Sequence, residues 1–263
     1  MKGKLFLLGW LLLTLMITGC DSVRLNTKGN ANLSWVSFIH IDDRHYRGDF
    51  NFVLTDPSKI GVQIGEVEFN TSKNVSNPEY RVRNGDSAFL EEGSKIYAIK
   101  GYPDYSYIAA ESKDPIHHFK GYEVFRLEWK LDKSGKPIQL NVAQNVKFEE
   151  IPKDDLKKIE VYINNSNTLG GYDWKLINEV SKNENIKEFF SILNRSQPFD
   201  RENSGIQMEL AKEYRIVFYT DEPFGYRFPV FYHKGLFFWR LGQEKLPNDI
   251  NPYMKVEPTI ERK

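Results

Sequence analysis

The chain has 263 residues, 40% hydrophobic and 14% aromatic, with 36 basic residues balancing 36 acidic ones and a single cysteine. This is the composition of a foldable globular chain and not of a disordered one. An even charge balance removes any bulk electrostatic drive toward nucleic acid, and a lone cysteine excludes an intrachain disulfide.

The amino terminus reads as a signal. Lys2 and Lys4 precede an apolar block over residues 5–17, which closes on Ile17-Thr18-Gly19-Cys20. A basic start, an apolar middle and small residues before a cut make a secretory signal peptide. The block is about 13 residues, short of the roughly 20 that a membrane-spanning helix needs. A cysteine suits the cut because a thiolate is a strong nucleophile toward a lipid donor. Two or more acyl chains then hold a protein firmly, where one holds it only marginally. Ile17-Thr18-Gly19-Cys20 resembles the lipobox of bacterial lipoproteins, and the resemblance implies that residues 1–19 are removed and Cys20 is lipidated, with residues 20–31 then serving as a polar tether. The cut takes away Lys2 and Lys4 and no acidic residue, leaving a formal balance of −2.

Residues 34–41 (SWVSFIHI) alternate as a half-buried strand does, and residues 49–54 and 60–69 continue the pattern. Phe89-Leu90, a turn over residues 91–93 and residues 95–100 read as strand, turn and strand. Residues 105–110 and 122–131 add further strands, although Val124 beside Phe125 blurs the alternation. Asp132-Lys133-Ser134-Gly135 supplies a turn into residues 138–142. The expectation is a mainly β first domain over residues 32–148, with the boundary at the charged stretch 148–156 (FEEIPKDDL).

A smaller α+β domain is expected over residues 156–251. Residues 159–163 read as a strand and residues 164–171 as a loop. Ser181 stands three residues before Glu184 at capping-box spacing, and Ile186, Phe189, Phe190 and Leu193 follow at helical intervals, predicting a helix over residues 184–194. Residues 208–220, 226–232 and 236–241 read as strands, the last two joined by His233-Lys234-Gly235. Residues 252–263 read as a polar tail. The fold class is thus α+β, with one helix packed on an antiparallel sheet in the second domain.

Candidate chemistry is sparse. His40, Asp42, Asp43 and His45 form the best metal-like cluster, since imidazole and carboxylate both suit divalent ions. On a straight strand they divide between two faces and converge only if the chain turns at Asp42-Asp43. His117 and His118 point apart if extended. Gly85-Asp86-Ser87-Ala88-Phe89 starts like a nucleophile elbow but lacks its second glycine, and reads as a loop before a strand. The aromatic run Phe224, Tyr226, Phe228, Phe231, Tyr232, Phe237, Phe238 and Trp239 suits recognition, yet its alternation assigns most of it to a core. Glu91-Glu92, Glu149-Glu150 and Asp154-Asp155 read as solvated surface. No local catalytic motif is present and no cofactor is expected, although residues assembled in space escape such a reading.

The lipobox Ile17-Thr18-Gly19-Cys20, the polar tether, a strand-rich first half containing GDSAFLEEGSKIYAIKGY and a strand-helix-strand second half resemble uncharacterised lipoproteins of Bacillus-type Gram-positive bacteria. The resemblance implies a lipid on Cys20, anchorage at the outer face of the cytoplasmic membrane, and the membrane itself as a partner. A non-catalytic role in binding a protein or cell-wall component is the expected function. A small-ligand or metal-ion-binding lipoprotein and a cell-wall hydrolase are the alternatives.

Overall fold

The computed structural model describes residues 34–114, 118–140, 148–166, 171–200, 207, 210–239 and 243–255. The lipobox and tether lie outside them, as does His117. Within them the protein is α+β and mainly β, built on two antiparallel-dominated sheets with a single long helix against the second.

The first sheet contains β1 (Phe38–Ile41), β2 (Arg44–Gly48), β4 (Ile60–Glu66), β5 (Phe69–Asn70), β6 (Asp86–Ala88), β7 (Lys95–Ile99), β8 (Tyr107–Glu111), β9 (Tyr122–Leu131) and β10 (Pro137–Gln139). Its order is β4-β7-β8-β9-β2-β1-β6-β5, with β10 also on β9. The two ends of that path, β4 and β5, are separated in sequence by only Val67 and Glu68. Val67 donates its backbone N–H to Ser94 and Glu68 donates its own to Gly85, so the chain steps from one edge of the sheet to the other in one residue. The sheet therefore curls until its edges meet. Ile39, Ile41, Tyr46, Ile96, Ile108, Phe125 and Leu127 fill the inside.

The second sheet contains β11 (Lys158–Asn164), β12 (Trp174–Val180), β13 (Gln197–Pro198), β14 (Lys212–Tyr219), β15 (Phe224–His233), β16 (Leu236–Trp239) and β17 (Glu244–Lys245) in the order β12-β11-β14-β15-β16-β17-β13. Helix α2 (Asn183–Asn194) lays Ile186, Phe189, Phe190 and Leu193 on Ile159, Val161, Ile216, Phe218 and Trp239. Spacing at i, i+3, i+4 and i+7 gives it one continuous apolar stripe. Its N-cap is Lys182, with no side-chain capping bond, so the Ser181–Glu184 capping box does not form. Two four-residue α-helices are also present among the described residues: α1 (Thr71–Asn74), capped by the Asn70 side chain, and α3 (Asn251–Met254). Met254 is fully buried and Tyr253 packs beside it, so the segment expected to open a polar tail instead closes the core.

One strand of the first half belongs to the second sheet. Strand β3 (Phe52–Leu54) pairs with β15 through Phe224↔Leu54, Gly225↔Val53 and Tyr226↔Phe52. Leu54 and Phe224 then pack with Ile99, Ala109 and Val124 on the outside of the first sheet. This explains the blurred alternation of β9: Phe125 faces the curled interior and Val124 faces the second sheet, so adjacent residues are both buried.

Local departures from expectation have local causes. Strand β2 (RHYRG) holds one apolar residue, Tyr46, and gives no period-two signal. Strand β12 (WKLINEV) is an edge strand whose register slips opposite Val161/Tyr162, which breaks its alternation. Phe89 is in no strand: β6 ends at Ala88, and Phe89 takes a left-handed φ of 73°.

Candidate functional site

The histidine cluster sits on a tight hairpin. Asp42 and Asp43 both take positive φ, 49° and 56°, the conformation of a two-residue turn that matches strand twist and that Asp tolerates better than most residues. The turn sets His40 directly opposite His45 on one face of the sheet, with ring centroids 5.8 Å apart. His45 is stacked between Phe38 (5.1 Å) and Trp129 (5.0 Å), and His40 lies 5.3 Å from Trp129. Asp42 and Asp43 stay exposed on the turn. The trio His40, Asp42 and His45 is thus not assembled into a ligand set, and among the described residues no group of three or more His, Cys, Asp or Glu is placed to hold a metal.

Both imidazoles behave as neutral aromatic plates. Burial lowers the His45 pKa to about 4, helped by the neighbouring His40 and Arg47. His40 is also lowered by burial, against the pull of Asp43 and Asp86. The nearest carboxylate to His45 is Glu128, at 3.9 Å from Nε2 and already paired with Arg47 at 3.3 Å.

The densest set of buried charge lies where the sheets meet, and no sequence motif announces it. Arg227 of β15 donates Nε to the Phe50 carbonyl at 2.9 Å and its backbone N–H to the Asn51 carbonyl at 2.7 Å. Arg126 of β9 pairs with buried Asp49 at 3.2 Å. Glu123 continues the inward-facing row of Phe125 and Leu127 beyond their apolar layer and accepts the Ser112 hydroxyl at 2.6 Å. Burial pushes the Glu123 carboxyl up to about 7, against the Ser112 hydrogen bond, with Asp114 adding to the rise and Arg227 opposing it. Burial likewise lowers Arg227 to about 10, opposed by Glu123, Glu213 and Asp49. Arg215 of β14 is brought down to about 9 by burial and by Arg227, and its guanidinium rests 3.6 Å over the Trp174 ring. His118 is half-buried beside this group, its pKa lowered by burial and then by Arg215, with its Nδ1 accepting the Gly121 N–H at 3.3 Å.

Ser112, which donates its hydroxyl to Glu123, lines a cavity of about 340 Å³ together with Glu91, Glu92, Ser94, Glu111 and Lys113. The surroundings are wrong for acyl transfer. An oxyanion forming near Ser112 would face three carboxylates and one lysine, the reverse of the field that stabilises it. The pair reads as cohesion between neighbouring strands β8 and β9.

Other candidates resolve simply. Ser87 is fully buried and donates to the Phe38 carbonyl at 2.8 Å, while Asp86 accepts from the Tyr80 hydroxyl at 2.8 Å, so the elbow-like segment is strand β6 and its anchors. In the aromatic run Phe224, Phe237, Phe238 and Trp239 are buried, and Tyr226, Phe228 and Tyr232 pack against the helix-side core. Glu91 is exposed and paired with Lys73 at 2.7 Å, and Glu92, Glu149, Glu150, Asp154 and Asp155 are exposed as well.

Compared with known proteins, the chain matches no family model, no curated protein and no solved structure.

Proposed function

We propose that the protein is a lipid-anchored lipoprotein at the outer face of the cytoplasmic membrane, acting there as a non-catalytic binding module. The observation that carries the anchor is the Ile17-Thr18-Gly19-Cys20 lipobox behind a block too short to span a bilayer. Among the described residues no helix is long and apolar enough to cross a membrane.

The binding reading draws support from how the charged residues are used. Arg227 of the second sheet donates to the Phe50 and Asn51 carbonyls of the first half, beside the buried Arg126–Asp49 pair. They join two layers into one body, as a scaffold for an exterior contact requires.

Cys20→Ala is expected to leave the chain unprocessed or to release it into the medium, read by cell fractionation and by the mass of the mature amino terminus. A variant still cut before position 20 and still bound to membranes would remove the anchor. For the binding role, crosslinking in the native cell should capture a partner through the exposed surface of the intact protein.

A further inference from the structure

A groove runs between helix α2 and the helical turn Lys153–Asp155 that precedes β11. Beside the stripe that packs on the sheet, α2 carries a second one, in which Asn183, Lys187, Ser191 and Asn194 recur at four- and three-residue spacing. Along the line where the two stripes adjoin, the core stays open on one side. The opening holds about 360 Å³, a volume within the about 300–1,000 Å³ range of small-ligand sites. Its floor is Leu156, Ile186 and Phe190, all buried members of the helix-side core that also line the groove.

The rim has a sign. Lys153, Lys187 and Arg195 line it against a single acid, Asp154. On a chain with equal numbers of basic and acidic residues this is a local excess of positive charge. Arg195 is engaged by Asp249 at 2.8 Å, outside the lining. The Lys153 ammonium lies 5.8 Å from the centre of the Phe190 ring, which sets a cation above the apolar floor. We infer that the groove binds a small amphipathic anion, an aromatic or short-chain carboxylate, sulfonate or phosphate ester, with its apolar part on Phe190 and Ile186 and its charge at Lys153 and Lys187. A sugar would leave the floor without an apolar partner, and a cation would be repelled by the rim. The inference rests on the binding reading, for which it names a ligand class, and is independent of the lipid anchor.

The test uses the chain from residue 20 onward with Cys20→Ser, which holds every described residue and needs no membrane. The probes are anilinonaphthalene sulfonate and phenylnaphthylamine, which share their rings, differ by the sulfonate and brighten in apolar surroundings. Each should bind at one saturable site, read by fluorescence titration. Lys153, Lys187 and Ser191 are exposed, so their substitution spares the core. Lys153→Glu with Lys187→Glu should weaken the sulfonate at least about tenfold and leave the amine within about twofold. Ser191→Trp, which fills the groove, should weaken both, with the far-ultraviolet circular dichroism of every variant unchanged. Absence of saturable binding by either probe overturns the inference. So does sulfonate binding that the charge reversal leaves unmoved or weakens no more than the amine, and so does binding of both that survives Ser191→Trp, since the probe would then sit elsewhere. Each of these failures leaves the binding reading standing for a macromolecular partner, which crosslinking in the native cell reads separately.

Discussion

His45 and Glu123 are perturbed by the same force with opposite results. Burial disfavours the charged form of each, which lowers a base and raises an acid. His45 falls from 6.5 to about 4, so the unfolded chain binds its proton more readily and this group makes stability rise with pH between about 4 and 6.5. Glu123 rises from 4.5 to about 7, so the folded chain holds the proton and stability falls with pH between about 4.5 and 7. Each shift corresponds to about 3 kcal/mol at full titration. Over the shared window the slopes of these two groups offset each other, while His40 and His118, also lowered by burial, add to the rise and Asp49 and Glu213, raised by burial, add to the fall. Glu123→Gln should expose the rising slope and His45→Phe, which keeps a stacking ring between Phe38 and Trp129, the falling one. Urea titrations at half-unit pH steps would show this, and parallel profiles for the two variants would contradict it.

At the scale of elements, the contact most sensitive to a single atom is β3 on β15. A Cβ added at Gly225 would lie 2.5 Å from Thr55 Cγ2 and 2.8 Å from the Phe218 carbonyl oxygen, the second of which cannot swing away. Gly225→Ala should therefore push β3 off its partner and cost about 1–3 kcal/mol, the range for forced overpacking, measured as a lower urea midpoint. The same strand shows what a sequence conceals. Helix α2 is legible because its apolar residues recur with the helical period, and β1, β7 and the β15–β16 hairpin because they alternate or carry a turn. Strand β3 is legible as a strand, but its sheet is not: Phe52-Val53-Leu54 says only that both faces are covered, and the partner lies some 170 residues away. The junction charges are hidden for the same reason, since Asp49, Glu123 and Arg227 meet only after both sheets form. The histidine hairpin was half visible, because Asp42-Asp43 states the turn but not that Phe38 and Trp129 would flank His45.

For the whole molecule, a strand of the first half built into the second sheet and the buried charges beside it tie the two sheets together, and the two are expected to melt as one unit. Tryptophan reports on each separately: Trp129 belongs to the first sheet, Trp174 and Trp239 to the second. In urea, the fluorescence of a Trp35→Phe, Trp129→Phe double variant and of a Trp174→Phe, Trp239→Phe double variant should change at the same midpoint as the far-ultraviolet circular dichroism of each, to within the shift the substitutions themselves cause. Separated midpoints within one variant would show that the sheets are autonomous. The placement of β3 also sets an order of events. A chain that leaves the ribosome amino terminus first delivers Phe52-Val53-Leu54 early and Phe224-Gly225-Tyr226 late. For the synthesis of most of the protein, a short apolar strand waits with an open edge, the kind of segment that pairs with the wrong neighbour. Only when residue 226 arrives can the first half of the chain be finished by the second.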